Sequence, residues 1–184
     1  MELYVHIPFC ARKCGYCDFV SAPAEETVQR AYMRALRKEI CLAAEELQKA
    51  GRCGGGQEAE ACAGAVTSVF FGGGTPSIVE AEEIAETLAC IRREFAVAEG
   101  AEISLEANPG TLTREKSEIY RRAGVNRLSI GLQSADDGEL LLLGRIHTFE
   151  EFRESYGLAR EAGFQNINVD LMAALPGQTL ESFE

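Results

Sequence analysis

Residues 6–19 read HIPFCARKCGYCDF, and the three cysteines in this run, Cys10, Cys14 and Cys17, come directly after an apolar, strand-like segment at 3–7. Three thiolates with no obvious fourth protein ligand leave one metal coordination position free for a substrate or cofactor. Cysteines spaced two or three residues apart also bind zinc, but zinc needs a fourth ligand nearby. His6 precedes Cys10 by four residues, and its place inside the apolar strand reads as a packed or hydrogen-bonded side chain. Ferredoxin-type runs supply a further cysteine of their own, which this stretch lacks. The spacing by itself leaves iron–sulfur and zinc both open.

The same arrangement, a strand followed by chemically unusual residues, recurs outward along the chain. Strand-like runs fall at 3–7, 66–71, 102–106, 127–132 and 166–172. Between the first two, Val28, Tyr32, Leu36, Ile40, Ala43 and Leu47 recur at helical spacing, and Ile84, Leu88, Ile91 and Phe95 do so before the third. Thr113 and Gly124 bracket a short helix with Ile119 on its apolar side. Thr148 and Glu151 form a capping box opening a helix that stops at Gly163. Strands alternating with helices predict βαβ units and a parallel sheet in an α/β fold, open or closed into a barrel. Residues 51–64, rich in Gly, Ala and Glu, read as a flexible insertion with Cys53 and Cys62 as incidental thiols. Cys41 and Cys90 read as small packed helix residues.

A length of 184 residues, 46% hydrophobic and 26% charged, suits one substantial globular core. Met1 leads straight into a strand pattern without a basic and apolar leader, so the expectation is a cytoplasmic protein with no transmembrane segment. Seven cysteines without a regular framework fit a reducing compartment. A net charge of −11 argues against nucleic acid as the main partner.

Gly72, Gly73, Gly74 and Thr75 follow the second strand, Glu106 and Asn108 end the third, Gln133 ends the fourth, and Asp170 lies in the fifth. In a parallel α/β fold these positions gather at the carboxyl edge, where ligands bind. Successive glycines admit close backbone approach and free N–H groups, although a plain strand-to-helix turn would use them too. Glu106 and Asp170 sit among apolar strand residues and each needs a hydrogen-bonding partner, ribose hydroxyls or an internal donor. Arg145, after a leucine-rich helix, can clamp a carboxylate bidentately, or make an ordinary surface ion pair. Nothing marks the neighbouring His147 as a ligand.

The runs YVHIPFCARKCGYCDF, FFGGGTPS, EISLEANPG, NRLSIGLQS, LGRIH and NVDLMAALPGQT, in that order, resemble the radical S-adenosylmethionine superfamily. The likeness is to its branch holding oxygen-independent coproporphyrinogen III oxidase (HemN) and the haem chaperone (HemW). It implies that Cys10, Cys14 and Cys17 hold three irons of a four-iron four-sulfur ([4Fe–4S]) cluster, the fourth iron being chelated by S-adenosylmethionine. Tyr4 and the backbone at Tyr16 are then expected beside cluster and adenine. Gly73, Gly74 and Thr75 would receive the methionine end, and Glu106, Gln133, Arg145 and Asp170 would complete the pocket.

In such enzymes a reduced cluster passes one electron to the sulfonium, and the radical released takes hydrogen from a substrate. No residue of this chain is singled out as catalytic. Where the oxidase has a cysteine two residues after its third cluster ligand, this chain has Phe19, and the cluster motif begins almost at Met1. Both features, with EANPG and GRIH, resemble the chaperone. The expected partners are therefore haem or a porphyrin, haem-accepting proteins and an electron donor, with haem a possible ligand of the full-length protein. Family members continue past the fifth strand. The resemblance accordingly implies that residues 1–184 form an incomplete core domain, a partial (β/α)6 barrel whose C-terminal strand and domain are missing.

Overall fold

The computed structural model describes residues 1–50 and 65–183, so the expectation for 51–64, with Cys53 and Cys62, lies outside the described residues. Five strands form one sheet: β1 (Glu2–Ile7), β2 (Val66–Gly73), β3 (Val97–Ala107), β4 (Arg127–Gln133) and β5 (Asn166–Leu171). They lie in sequence order, and each neighbouring pair is parallel. Helices α1 (Glu26–Lys49), α2 (Ala81–Glu94), α3 (Arg114–Ala123) and α5 (Phe149–Glu161) carry the chain between strands. Shorter pieces, α4 (Asp137–Leu142) and α6 (Leu180–Phe183), lie before and after α5. This is the expected α/β fold with a parallel sheet, and five strands are present among the described residues.

Alternation within each strand divides the sheet into two unlike faces. Val5, Ile7, Val69, Phe71, Ile103, Leu105, Leu128 and Ile130 form a core with Met33, Leu88, Ile91, Tyr120 and Ala159 of the helices. Burial of side chains such as Leu128 and Ile130 contributes about 1.5–3 kcal/mol each. The other face is polar. Arg127 donates to Ser104 Oγ at 3.1 Å, and Ser104 donates to Glu102. Farther along, Asn168 donates to Ser129, which in turn donates to Asp170.

The expected helix ends hold. Thr113 Oγ1 accepts from Lys116 N, Gly124 closes α3 at φ 99°, and the Thr148–Glu151 capping box is complete. In α1 the buried centre is Met33 and Ala44, whereas Val28 is exposed; Tyr32, Leu36, Ile40 and Leu47 flank that centre. β3 begins at Val97, five residues before the strand expected at 102, because Val97 pairs with Val66 across a register shift. No helix among the described residues is long and apolar enough to cross a membrane.

Candidate functional site

The unusual residues meet in a cavity of about 300 Å³ at the carboxyl edge of the sheet. That volume is at the lower end of small-molecule sites. Cys10, Cys14, Cys17 and Tyr16 line one side. Gly73, Gly74, Thr75, Glu106, Gln133, Arg145 and Asp170 line the others. Tyr4 lies outside this lining: its ring stacks on Phe70 and its hydroxyl is 3.2 Å from His6 Nδ1.

Backbone hydrogen bonds shape the cysteine loop independently of its thiols. Ala22 N donates to Pro8 O at 3.0 Å and Cys10 N to Ala22 O at 3.3 Å. The loop is also pinned from across the fold, where Gly15 N donates to Leu143 O and Arg12 to Gly144 O. Among the described residues, the three sulfurs are not all within 4.8 Å of one another. A tetrahedral zinc with Zn–S bonds near 2.3 Å holds its thiolates about 3.8 Å apart, closer than this set as a whole. Neither histidine offers a fourth ligand here. His6 Nε2 faces Val20 O at 3.1 Å, and His147 is buried against Leu132 O.

The glycine turn is docked onto the strand that feeds the cysteines. Gly74 N donates to Ile7 O at 2.9 Å and Thr75 N to Phe9 O at 2.6 Å. Gly73 has φ +117°, a conformation that favours glycine, and its N–H donates to Glu106 Oε2 at 3.1 Å. Burial raises the Glu106 pKa above the ordinary carboxylate value. Asp170 raises it further, while the Gly73 N–H and His6 pull it down. Asp170 accepts from Asn168 Nδ2 at 2.7 Å and from Ser129.

Arg145 reaches the cavity from the loop after α4. Its Nη2 donates to Asn108 Oδ1 at 2.8 Å and to Gly131 O at 2.6 Å. Its buried Nε has no protein partner, and among the described residues the guanidinium pairs with no carboxylate. Gln133, at φ 74°, is a non-glycine residue in the left-handed region, at the register shift where β4 and β5 lose alignment. Asn108 joins Thr75 Oγ1, at 2.8 Å, to Arg145 and so ties the glycine turn to the cation. Sequence reading placed Asn108 at the strand end without assigning it to the site; its position in EANPG beside Glu106 was the available signal.

The cavity therefore combines three thiols, a half-buried cation whose Nε is unpaired, a glycine turn with close backbone and two carboxylates. This donor set fits an iron–sulfur cluster beside a zwitterionic ligand bearing hydroxyl groups. The family description "Radical SAM superfamily" matches residues 4–184. The chain is 38% identical to the heme chaperone HemW of Haemophilus influenzae, over 98% of this chain and 45% of that protein. Identity is also 38% to the oxygen-independent coproporphyrinogen III oxidase of Bradyrhizobium diazoefficiens, over 98% of this chain and 38% of that protein. Among solved structures, coproporphyrinogen III oxidase (HemN) from Escherichia coli superposes with a TM-score of 0.83 at 31% identity, covering 99% of this chain and 39% of that one. The chain thus spans less than half the length of these relatives.

Proposed function

The chain belongs to the radical SAM superfamily, and from that premise we propose that it is the core portion of a HemW-like haem chaperone that holds a cluster and S-adenosylmethionine. The observation that carries this reading is the meeting of Cys10, Cys14 and Cys17 in one cavity with the guanidinium of Arg145, which has no carboxylate partner among the described residues. Cys10, Cys14 and Cys17 would hold three irons. Gly73, Gly74 and Thr75 would receive the amino-acid end of the nucleotide, Arg145 its carboxylate, and Glu106 and Asp170 its amino and hydroxyl groups. Gln133 and the Tyr16 backbone would close the pocket. When bound, the cluster and S-adenosylmethionine supply one-electron chemistry that no side chain here can perform.

The heme chaperone name of the Haemophilus relative and Phe19 in place of a further cysteine support delivery of haem to acceptor proteins. The equal identity to the Bradyrhizobium oxidase supports a second reading, anaerobic decarboxylation of coproporphyrinogen III. Anaerobic reconstitution tests the shared premise: a brown protein whose cluster spectrum changes on adding S-adenosylmethionine is expected. A colourless zinc protein would defeat both readings. The full-length protein then separates them. The chaperone captures haem stoichiometrically and leaves coproporphyrinogen III unchanged, whereas the oxidase converts it and consumes S-adenosylmethionine.

Glu106 gives this site a pH dependence. Burial favours its neutral acid in the free protein, whereas a cationic sulfonium ligand with hydrogen-bond donors requires the carboxylate. Affinity for S-adenosylmethionine is therefore expected to be full above the raised pKa and to fall as acidification protonates Glu106. Glu106→Gln should flatten that limb and weaken binding about tenfold or more, the usual worth of a hydrogen bond to a charged group. Stability has the opposite sign. A carboxyl with a raised folded-state pKa opposes folding once ionised, so the variant's ligand-free melting temperature at neutral pH should rise. Calorimetric titration and thermal melts across mildly acidic to neutral pH check both signs.

A further inference from the structure

Away from the cavity, α1 and α2 bring three metal-ligating groups together. Cys41 Sγ lies 3.8 Å from Cys90 Sγ and 3.6 Å from Glu94 Oε1, and all three donor atoms lie within 4.8 Å of one another. Bonds of about 2.3 Å to sulfur and about 2.0 Å to oxygen place tetrahedral zinc ligands about 3.8 Å apart for two sulfurs and about 3.5 Å for sulfur and oxygen. The observed separations match both values. Cys90 and Glu94 are one helical turn apart on α2, and Cys41 faces them from α1.

The packing beneath these groups is already fixed. One turn before Cys41, Arg37 bridges to Glu83 at 2.6 Å and Glu86 at 3.3 Å, and these pairs hold the register of the two helices. A cation already sits on the three donors. Arg93 Nη2 lies 3.3 Å from Cys90 Sγ and 3.8 Å from Cys41 Sγ, and its Nε is 2.8 Å from Glu94 Oε1. The Arg93 side chain is 64% exposed, so it can swing into solvent and yield the position.

We propose that Cys41, Cys90 and Glu94 form a binding site for a thiophilic divalent cation, zinc being the best match, which fastens α1 to α2 and competes with Arg93. Both thiols release their protons to solvent on binding, and water completes the tetrahedron. This site is independent of the cluster reading. Its ligands lie in the helical layer and do not line the cysteine cavity.

Cobalt(II) serves as the probe, because thiolate ligation gives it a charge-transfer absorption that bare uptake would not. Reduced wild-type protein and the Cys41→Ser, Cys90→Ser, Glu94→Gln and Arg93→Ala variants are titrated with cobalt and then displaced by zinc. Each cysteine variant should lose one equivalent of tight binding, weakened about 100-fold or more, since a direct ligand is worth at least as much as the partners that orient one. Glu94→Gln, which keeps both thiols, should bind about tenfold less tightly and covers the case in which a cysteine variant fails to fold. Arg93→Ala should bind more tightly, by up to about fivefold, because it removes a competing exposed cation. The site should persist when Cys10, Cys14 and Cys17 are all replaced by serine. Cobalt uptake equal in wild type and both cysteine variants, or weaker binding by Arg93→Ala, would overturn the proposal. So would zinc that leaves the pair free to oxidise to a disulfide.

Discussion

Cys10→Ser, Cys14→Ser and Cys17→Ser are each expected to strip the protein of its iron while leaving sheet and helices folded. Cys14 and Cys17 are half-buried, and Cys10, though buried, stands outside the apolar cluster that joins the strands to the helices. Their loop is held by backbone bonds that serine preserves, namely Cys10 N to Ala22 O, Cys17 N to Cys14 O and Gly15 N to Leu143 O. The hydroxyl is a poor replacement for a soft thiolate on iron, so each variant would remove one proposed ligand from a set that has no spare. Retained iron after anaerobic reconstitution should fall to about a tenth of wild type or less, by analogy with the effect of losing groups that merely orient a ligand. Circular dichroism should be unchanged. Cys41→Ser and Cys90→Ser, whose sulfurs lie between α1 and α2, should retain their iron and so control for general thiol loss. Undiminished iron in any of the three loop variants would remove the basis of the cofactor assignment.

What the sequence made legible, and what it hid, follow from the range of the interactions involved. Helix caps are local: Thr113 with Lys116 and Thr148 with Glu151 each close within three residues, and both were readable. Convergence at the carboxyl edge was readable too, because parallel strands place every strand end on one side, and it brought Cys10, Gly74, Glu106 and Asp170 to one cavity. Pairings that depend on how elements pack were not visible. Arg145 reaching Gly131 and Asn108, Gln133 held at positive φ by the β4–β5 register shift, and Cys41 facing Cys90 across two helices are all set by tertiary contacts. β3 ran longer than expected for the same reason, since Ala98, Glu99 and Gly100 are poor strand formers and Val97 is recruited by its neighbour Val66. Tyr4, which the resemblance placed beside cluster and adenine, stacks on Phe70 and lies outside the cavity lining.

Gly74→Ala should be strongly damaging for the addition of a single methyl group. A Cβ there would sit 2.3 Å from Phe9 O and 2.8 Å from Phe9 C, and both are backbone atoms that cannot rotate away. To admit it, the segment after β1 must retreat from the glycine turn. That breaks the bonds from Gly74 N to Ile7 O and from Thr75 N to Phe9 O. The movement cannot stay local, because Phe9 is buried and packs edge-on against Tyr32 of α1, while the next residue is Cys10. Overpacking of this kind costs about 1–3 kcal/mol, which a denaturant titration would read directly. Iron retention and affinity for S-adenosylmethionine should fall together, since one displacement moves a proposed cluster ligand and the turn proposed to receive the nucleotide. Gly131→Ala supplies the contrast. Its Cβ would meet the tips of Asn108, Gln133 and Arg145 at 3.0 to 3.3 Å, all ends of movable side chains. That variant should keep its iron and lose nucleotide affinity through a misplaced Arg145. If Gly74→Ala instead matched wild type in stability and iron content, the docking of the glycine turn onto the cysteine loop would not be what holds the two halves of the site in register.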